Sequence, residues 1–335
     1  MISKKEFEHY KFIANKGQNP LRVDLFLLNF IEFATRNKIQ NSIKSNNVRV
    51  NDKIVKANYK VKAGDIVTVL LDYPKEEYEL IPQNIPLDIL YEDSDIIIVN
   101  KEAGMVVHPG FGNPDKTLVN AISFYLKNLP NMGEENRPGL VHRLDKNTSG
   151  ILVIAKSEHA MSDLANKFAT RELERKYIAL VWGDVKKDVG EIRGHIGRNL
   201  KNRKIMDVFP NGEYGKHAIS HYKVLERFRY TTLIECSLET GRTHQIRAHF
   251  KYIGHPLFND KEYGGDTILK GTSFSKYKQF VNNCFKLCDR HALHAKSLGF
   301  LHPKSNKKMF FESVLPKDMM HLIDKWRKYT SNRDL

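Results

Sequence analysis

The sequence predicts an α+β protein in two parts: a small basic α+β module, then a larger domain built on a mixed, mostly antiparallel sheet with flanking helices and loops. Three observations carry this. A stretch rich in proline and charge, residues 74–86, separates two segments of different composition. Beyond it, short branched runs of strand type alternate with apolar stripes of helical spacing. One of those runs, Ile151-Leu152-Val153-Ile154-Ala155, is continuous and branched, as suits a strand buried on both faces. It follows a nine-residue polar punctuation, His142-Arg143-Leu144-Asp145-Lys146-Asn147-Thr148-Ser149-Gly150. An acid and several bases in a turn at a strand end sit where catalytic groups tend to be found.

The first module, residues 1–73, holds 13 Lys and Arg against 7 Asp and Glu. Its spacing predicts a short helix over Leu21–Leu27 after Pro20, a basic helix over Arg36–Lys44, and strands at Val48–Val50 and Asp65–Leu70. The pattern Arg-x-Asp-x-x-Leu, then a basic helix, then Val-x-Val-Asn resembles the S4 RNA-binding domain. That resemblance makes Arg22, Arg36 and Lys44 candidate RNA contacts; a generic α+β adaptor is the alternative. Residues 74–86 read as a linker, 87–330 as the second domain and 331–335 as a tail.

In the second domain the clearest strands are Ile96–Val99, Ile151–Ala155, Tyr177–Trp182 and Thr232–Leu238. Leu118, Val119, Ile122, Tyr125 and Leu126 form a helical stripe that Asp115 or Thr117 could cap. Thr240-Gly241-Arg242 reads as a turn, with Thr243 placed to cap a helix from His244. That helix start beside Arg242 and Arg247 suits phosphate. Residues 267–289 read as a surface insertion with a short helix.

Composition narrows the partners. The 335 residues carry 54 Lys and Arg against 39 Asp and Glu, a net charge of +15, which favours a polyanion. Three cysteines make no disulfide framework and point to a reducing compartment. The N-terminal residues lack an apolar signal core and no run is long enough to span a bilayer, so a cytoplasmic protein is expected. Cys284, Cys288, His291 and His294 are four potential zinc ligands in eleven residues, but so crowded that they would struggle to surround one ion; no metal is expected. Neither a phosphate-binding glycine loop nor a dinucleotide fingerprint occurs.

The second domain's motifs resemble the pseudouridine synthases of the RluA family, and the chain as a whole is most similar to the RluD-type members. His142–Gly150 fits the family's His-Arg-Leu-Asp-x-x-Thr-Ser-Gly. Asn100–Pro109 resembles the preceding family motif, and Arg175-Lys176-Tyr177, Leu238–His249, Gly254-His255-Pro256 and Arg290–Ala295 follow in the family's order. Glu102 stands where the family usually has proline, which implies a less rigid backbone there.

The resemblance implies the pseudouridine synthase fold, an isomerase that needs no cofactor, and an RNA substrate, most naturally large-subunit ribosomal RNA or a pre-ribosomal particle, with transfer RNA as the alternative. No obligatory protein partner is implied. It assigns Asp145 as the catalytic aspartate, Arg247 as its partner, Tyr177 as the ring that packs on the base and helps move the C5 proton, and Arg143 as an aid to base flipping. His142, Thr148, Arg242 and His244 become candidate RNA contacts, together with Arg198, Lys201 and Arg203 in the basic run Arg198–Lys204. A non-catalytic RNA-binding or ribosome-assembly protein is the rival reading; it would not need the set Arg143, Asp145, Tyr177 and Arg247.

Overall fold

The structure is a computed structural model that describes residues 6–15, 17, 19–31, 34, 36–72, 80–110, 112–126, 129–130, 138–199, 201–202 and 204–331. The chain forms two compact units, Met1–Glu77 with Arg198–Lys204, and Tyr78–Gly197 with Ile205–Leu335.

The first unit begins with β1 (Phe7–Ile13), which the sequence reading missed. Then come β2 (Leu21–Arg22), α1 (Val23–Phe30), α2 (Arg36–Lys44), β3 (Val48–Val50), β4 (Lys53–Ile54), β5 (Lys60–Val61) and β6 (Ile66–Leu71). The sheet order is β1-β6-β3-β4, while β2 pairs β5. The helix predicted from Leu21 starts at Val23, because Leu21 and Arg22 are paired as strand with Val61 and Lys60. Ile39 and Ile43, one turn apart on α2, join Val23, Phe26 and Leu27 of α1 in a core with Val48, Val50, Val67 and Val69.

The second unit runs β7 (Ile89–Glu92), β8 (Ile96–Lys101), α3 (Leu118–Tyr125), β9 (Ser149–Ala155), α4 (Glu158–Thr170), β10 (Glu174–Trp182) and β11 (Val189–Arg198). It continues with β12 (Met206–Phe209), β13 (Lys216–Arg227), β14 (Thr231–Leu238), α5 (Gln245–Tyr252), α6 (Ser275–Leu287), β15 (Leu293–Leu301), β16 (Lys308–Glu312) and α7 (Lys317–Ser331). One ten-stranded sheet takes the order β12-β11-β13-β14-β10-β15-β9-β8-β7, with β16 beside β15. Its described pairings are antiparallel except β9 with β15.

Period-two alternation sorts β10 onto two faces. Tyr177, Ala179 and Val181 share a core with Leu118 and Ile122 of α3 and with Ile246 and Phe250 of α5. Ile178, Leu180 and Trp182 pack against α6 and α7. Tyr177 therefore points to the face that carries α5. Thr117, rather than Asp115, caps α3, in a reciprocal box with Asn120. The expected surface insertion at 267–289 is a correction: the face of β10 opposite Tyr177 is closed by α6, whose Tyr277, Val281 and Cys284 recur at helical spacing and are fully buried with Trp326. Among the described residues no helix is long and apolar enough to cross a membrane.

Candidate active site

Asp145 lies on the loop that leads into β9, and that loop is held one carbonyl at a time. The Asp145 carbonyl accepts from the Thr148 amide at 3.1 Å, closing a turn. The Lys146 carbonyl accepts from the Gly104 amide at 2.8 Å and from Lys101 Nζ at 3.1 Å. The Asn147 carbonyl accepts from Arg290 Nη1 at 3.0 Å. Arg290 is anchored in turn by both carboxylate oxygens of Asp318, at 2.7 and 3.1 Å. At the end of the loop the backbone of β9 passes so close to β15 that a Cβ on Gly150 would stand 2.2 Å from the Ala295 carbonyl, and Gly150 has φ 118°. Only glycine fits there.

Lys101 is the unexpected member of this frame. Its buried ammonium also donates to the carbonyls of Glu102 (2.7 Å) and Met105 (2.9 Å). The backbone at Glu102, expected to be looser without proline, is thus tied down by the neighbouring side chain. Burial pulls the Lys101 amine down to about 7, with Asp145 opposing the shift.

The Asp145 carboxylate faces Arg247, whose Nη1 donates to it at 3.2 Å. Arg247 also donates to both oxygens of Asp260 at 2.7 Å and to Glu262 at 2.6 Å, and its guanidinium lies 4.7 Å from the Tyr263 ring centroid. The expectation that Arg247 would share a phosphate site with Arg242 is therefore corrected: three carboxylates occupy it. Burial by itself would raise the Asp145 carboxyl; His244, Arg247, His291 and Arg143 outweigh burial and hold it at about 2. Burial pushes both imidazoles below the usual histidine range. Arg247 and Arg143 are the permanently charged groups among these four.

Tyr177 lies beside a register shift between Lys176 and Tyr177 in the β10–β15 pairing, a device that re-aims a side chain. Burial raises its phenol above the ordinary range, with Asp145 adding to the effect and Arg175 opposing it. Asp145, Tyr177, Arg143, Arg242, His244 and Arg247 all line one open cleft of about 320 Å³. Arg143 is exposed and makes no hydrogen bond or ion pair among the described residues, so no structural salt bridge accounts for it there.

The other predicted contacts divide. Thr148 is a correction: it is 2% exposed, and its hydroxyl shares a 2.8 Å hydrogen bond with His291, so it braces the loop instead of facing RNA. His142 lines the cleft but is occupied by structure, its Nε2 accepting from the Val153 amide at 3.1 Å and its ring stacking on Phe168. Thr243 does not cap α5, a second correction. The helix starts at Gln245 after His244 in the left-handed region and has no side-chain cap; Gln245 instead ties down the preceding turn by accepting from the Thr240 hydroxyl and the Arg242 amide. His244 Nδ1 meets the Tyr263 hydroxyl at 3.0 Å, and Arg242 Nε donates to the His217 carbonyl.

In the first unit, Arg22 and Arg36 both pair with Asp24, a carboxylate with no exposed surface, while Lys44 ends α2 exposed. Arg198 is half-buried and Lys201 exposed; Arg203 falls outside the described residues. The crowded zinc-type ligands have other work. Cys284 packs in the α6–α7 core, Cys288 meets the Arg290 carbonyl and Asp318, and His294 bridges Ser149 and Ser313.

Known proteins are similar to this chain. The sequence pattern described as RNA pseudouridylate synthase matches residues 95–252, and that of the S4 domain matches residues 21–67. An uncharacterized RNA pseudouridine synthase of Chlorobaculum parvum is 46% identical over 317 residues, covering 94% of this chain and 96% of that protein. The ribosomal large subunit pseudouridine synthase D of Escherichia coli (strain K12) is 40% identical over 324 residues, covering 96% of this chain and 95% of that protein. The solved structure of human RNA pseudouridylate synthase domain containing 4 shares the fold, with TM-score 0.54 at 22% identity over 71% of this chain and 92% of that one. An ionised aspartate held at an arginine, an aromatic ring in the same cleft and these matches lead to one conclusion: the chain belongs to the RNA pseudouridine synthases of the RluA family, with an S4 domain ahead of the catalytic domain.

Proposed function

We propose that this enzyme isomerises specific uridines of large-subunit ribosomal RNA, in the cytoplasm, with Asp145 as the catalytic residue. The observation that carries the catalytic part is the Asp145–Arg247 pair at the cleft, which keeps the carboxylate ionised at neutral pH. The reaction breaks the N1–C1′ bond of uridine, turns the uracil, joins C5 to C1′, and moves a proton from C5 so that the ring regains its NH. Atoms and electrons balance without oxidant or donor. Attack on the sugar or base and removal of a ribose proton all require an ionised carboxylate, and Arg247 supplies the permanent charge that maintains it.

Tyr177 enters the cleft as a neutral phenol and offers its ring as a platform for the extruded base. Arg143, exposed and uncommitted, is placed to fill the vacated stack or grip the strand. Arg22, Arg36, Lys44, Arg198, Lys201, Arg242 and His244 are proposed RNA contacts, and Arg203, outside the described residues, belongs to the same basic run.

The ribosomal substrate is supported by the similarity to ribosomal large subunit pseudouridine synthase D over nearly the whole chain. Mapping pseudouridine across total RNA from cells with and without this protein tests it. Sites lost from large-subunit RNA are expected; loss confined to transfer RNA would replace this substrate with the alternative.

A further inference from the structure

Arg175 is buried, at 8% exposure, yet makes no hydrogen bond or ion pair among the described residues. Its Nε is sealed from solvent with no partner. The neighbouring basic residues behave differently: Arg247 is saturated by three carboxylates, Arg290 by Asp318 and backbone carbonyls. Burying a guanidinium with no carboxylate beside it and a sealed, unpartnered Nε is costly unless something outside the protein answers its charge.

The position is built, not accidental. Arg175 and Tyr177 alternate with exposed Glu174 and Lys176 on β10, and those two pair outward with Lys308 and Glu235. The guanidinium carbon sits 5.3 Å from the Phe168 ring centroid, and that ring stacks on His142 at 4.5 Å. On its other side, a Cβ on Gly241 would stand 3.0 Å from Nη1, so the missing side chain leaves the guanidinium room. Arg175 lines the same cleft as Asp145 and Tyr177.

We propose that Arg175 binds a backbone phosphate immediately flanking the flipped uridine, and so positions the ribose against Asp145. The ligand must be an anion to answer the charge. Uracil is neutral, so the phosphodiester is the group of the substrate that fits, and a planar fork donor suits its paired oxygens. This rests on the cleft being the active site, which the Asp145 variant tests separately.

The experiment combines Arg175→Met with a transcript in which a neutral methylphosphonate is walked through the phosphates around the target uridine. Wild type is expected to lose about tenfold to a hundredfold in affinity at one linkage next to the target. Arg175→Met should show a similar loss on unmodified RNA and no further loss at that linkage. Its slope of log affinity against log salt should be shallower by about 0.7, the value for one phosphate contact on a single strand. It should melt at or above the wild-type temperature, because an unanswered buried charge has been removed; a bracing role would lower melting. Equal responses of wild type and variant at every linkage would overturn the proposal. Should Arg175→Met fold poorly, the wild-type scan and Arg175→Lys decide. A scan with no sensitive linkage beside the target, or Arg175→Met binding as wild type, refutes it.

Discussion

Replacing Arg247 by Met should separate what holds the site together from what makes it react. The substitution keeps the length of the stem and removes the cation. Asp260, with no exposed surface, then loses both 2.7 Å bonds and keeps only two long ones at 3.3 Å, from the amides of Glu262 and Tyr263. Removing one partner of a buried ion pair costs about 3–5 kcal/mol. For a domain of this size that is a fall of roughly 6–20 °C in melting temperature. Asp145 loses its permanent neighbour at 3.2 Å while burial, which raises its pKa, remains. The carboxyl therefore moves up from about 2, and the acid limb of the rate profile should move up with it. The double variant Arg247→Met/Asp260→Asn removes the stranded charge as well. It should regain much of the lost melting temperature and none of the lost rate. Thermal unfolding and single-turnover uridine conversion across pH read both quantities. A single variant that melts like wild type, or a double variant that regains activity, would refute the reasoning.

Three further outcomes are expected. Burial holds His142 and His291 at about 3 and His249 and His294 at about 4, below their unfolded values. The unfolded chain thus binds more protons below about pH 6.5, so stability should fall as pH drops from there towards 3; Asp145 adds about 2 kcal/mol that disappears between roughly pH 4 and 2. Denaturant midpoints measured against pH check this, and His291→Gln should flatten the slope by up to one proton. Lys101→Met strands the carbonyls of Glu102 and Met105, at about 1–3 kcal/mol for each that finds no water, and leaves the Lys146 carbonyl with the Gly104 amide alone; kcat should fall while RNA affinity holds, and an unchanged kcat would contradict the loop-bracing role. Arg143→Ala should slow conversion of a uridine in a helix more than one in an unpaired strand; equal effects on both would remove the flipping role.

Much of this fold was legible because its signals are local. The helix Arg36–Lys44 carries Ile39 and Ile43 one turn apart, and β9 is a continuous branched run, so both stand where spacing placed them. β1, β11 and β13 were not read, because their polar and glycine content blurs the period of two. The buried face of residues 275–287 does carry a sequence signal, since Tyr277, Val281 and Cys284 repeat at helical spacing. In the site, Asp145, Tyr177 and Arg247 were found through motif order. Lys101, Arg290, Asp260 and Glu262 were not, because their work depends on the fold carrying residues 101 and 290 to the carbonyls of 146 and 147. Arg175 lies inside the motif Arg175-Lys176-Tyr177, and only the structure reveals that it makes no hydrogen bond or ion pair among the described residues.

The central claim is that the Asp145 carboxylate performs uridine isomerisation. Its most direct test is chromatography of the nucleosides from an RNA substrate incubated with wild type and with Asp145→Asn, alongside an RNA-binding assay. Asn keeps the size of the side chain and removes the charge. Pseudouridine is expected with wild type and none with the variant, at comparable RNA affinity. Equal conversion by the two proteins would contradict the assignment.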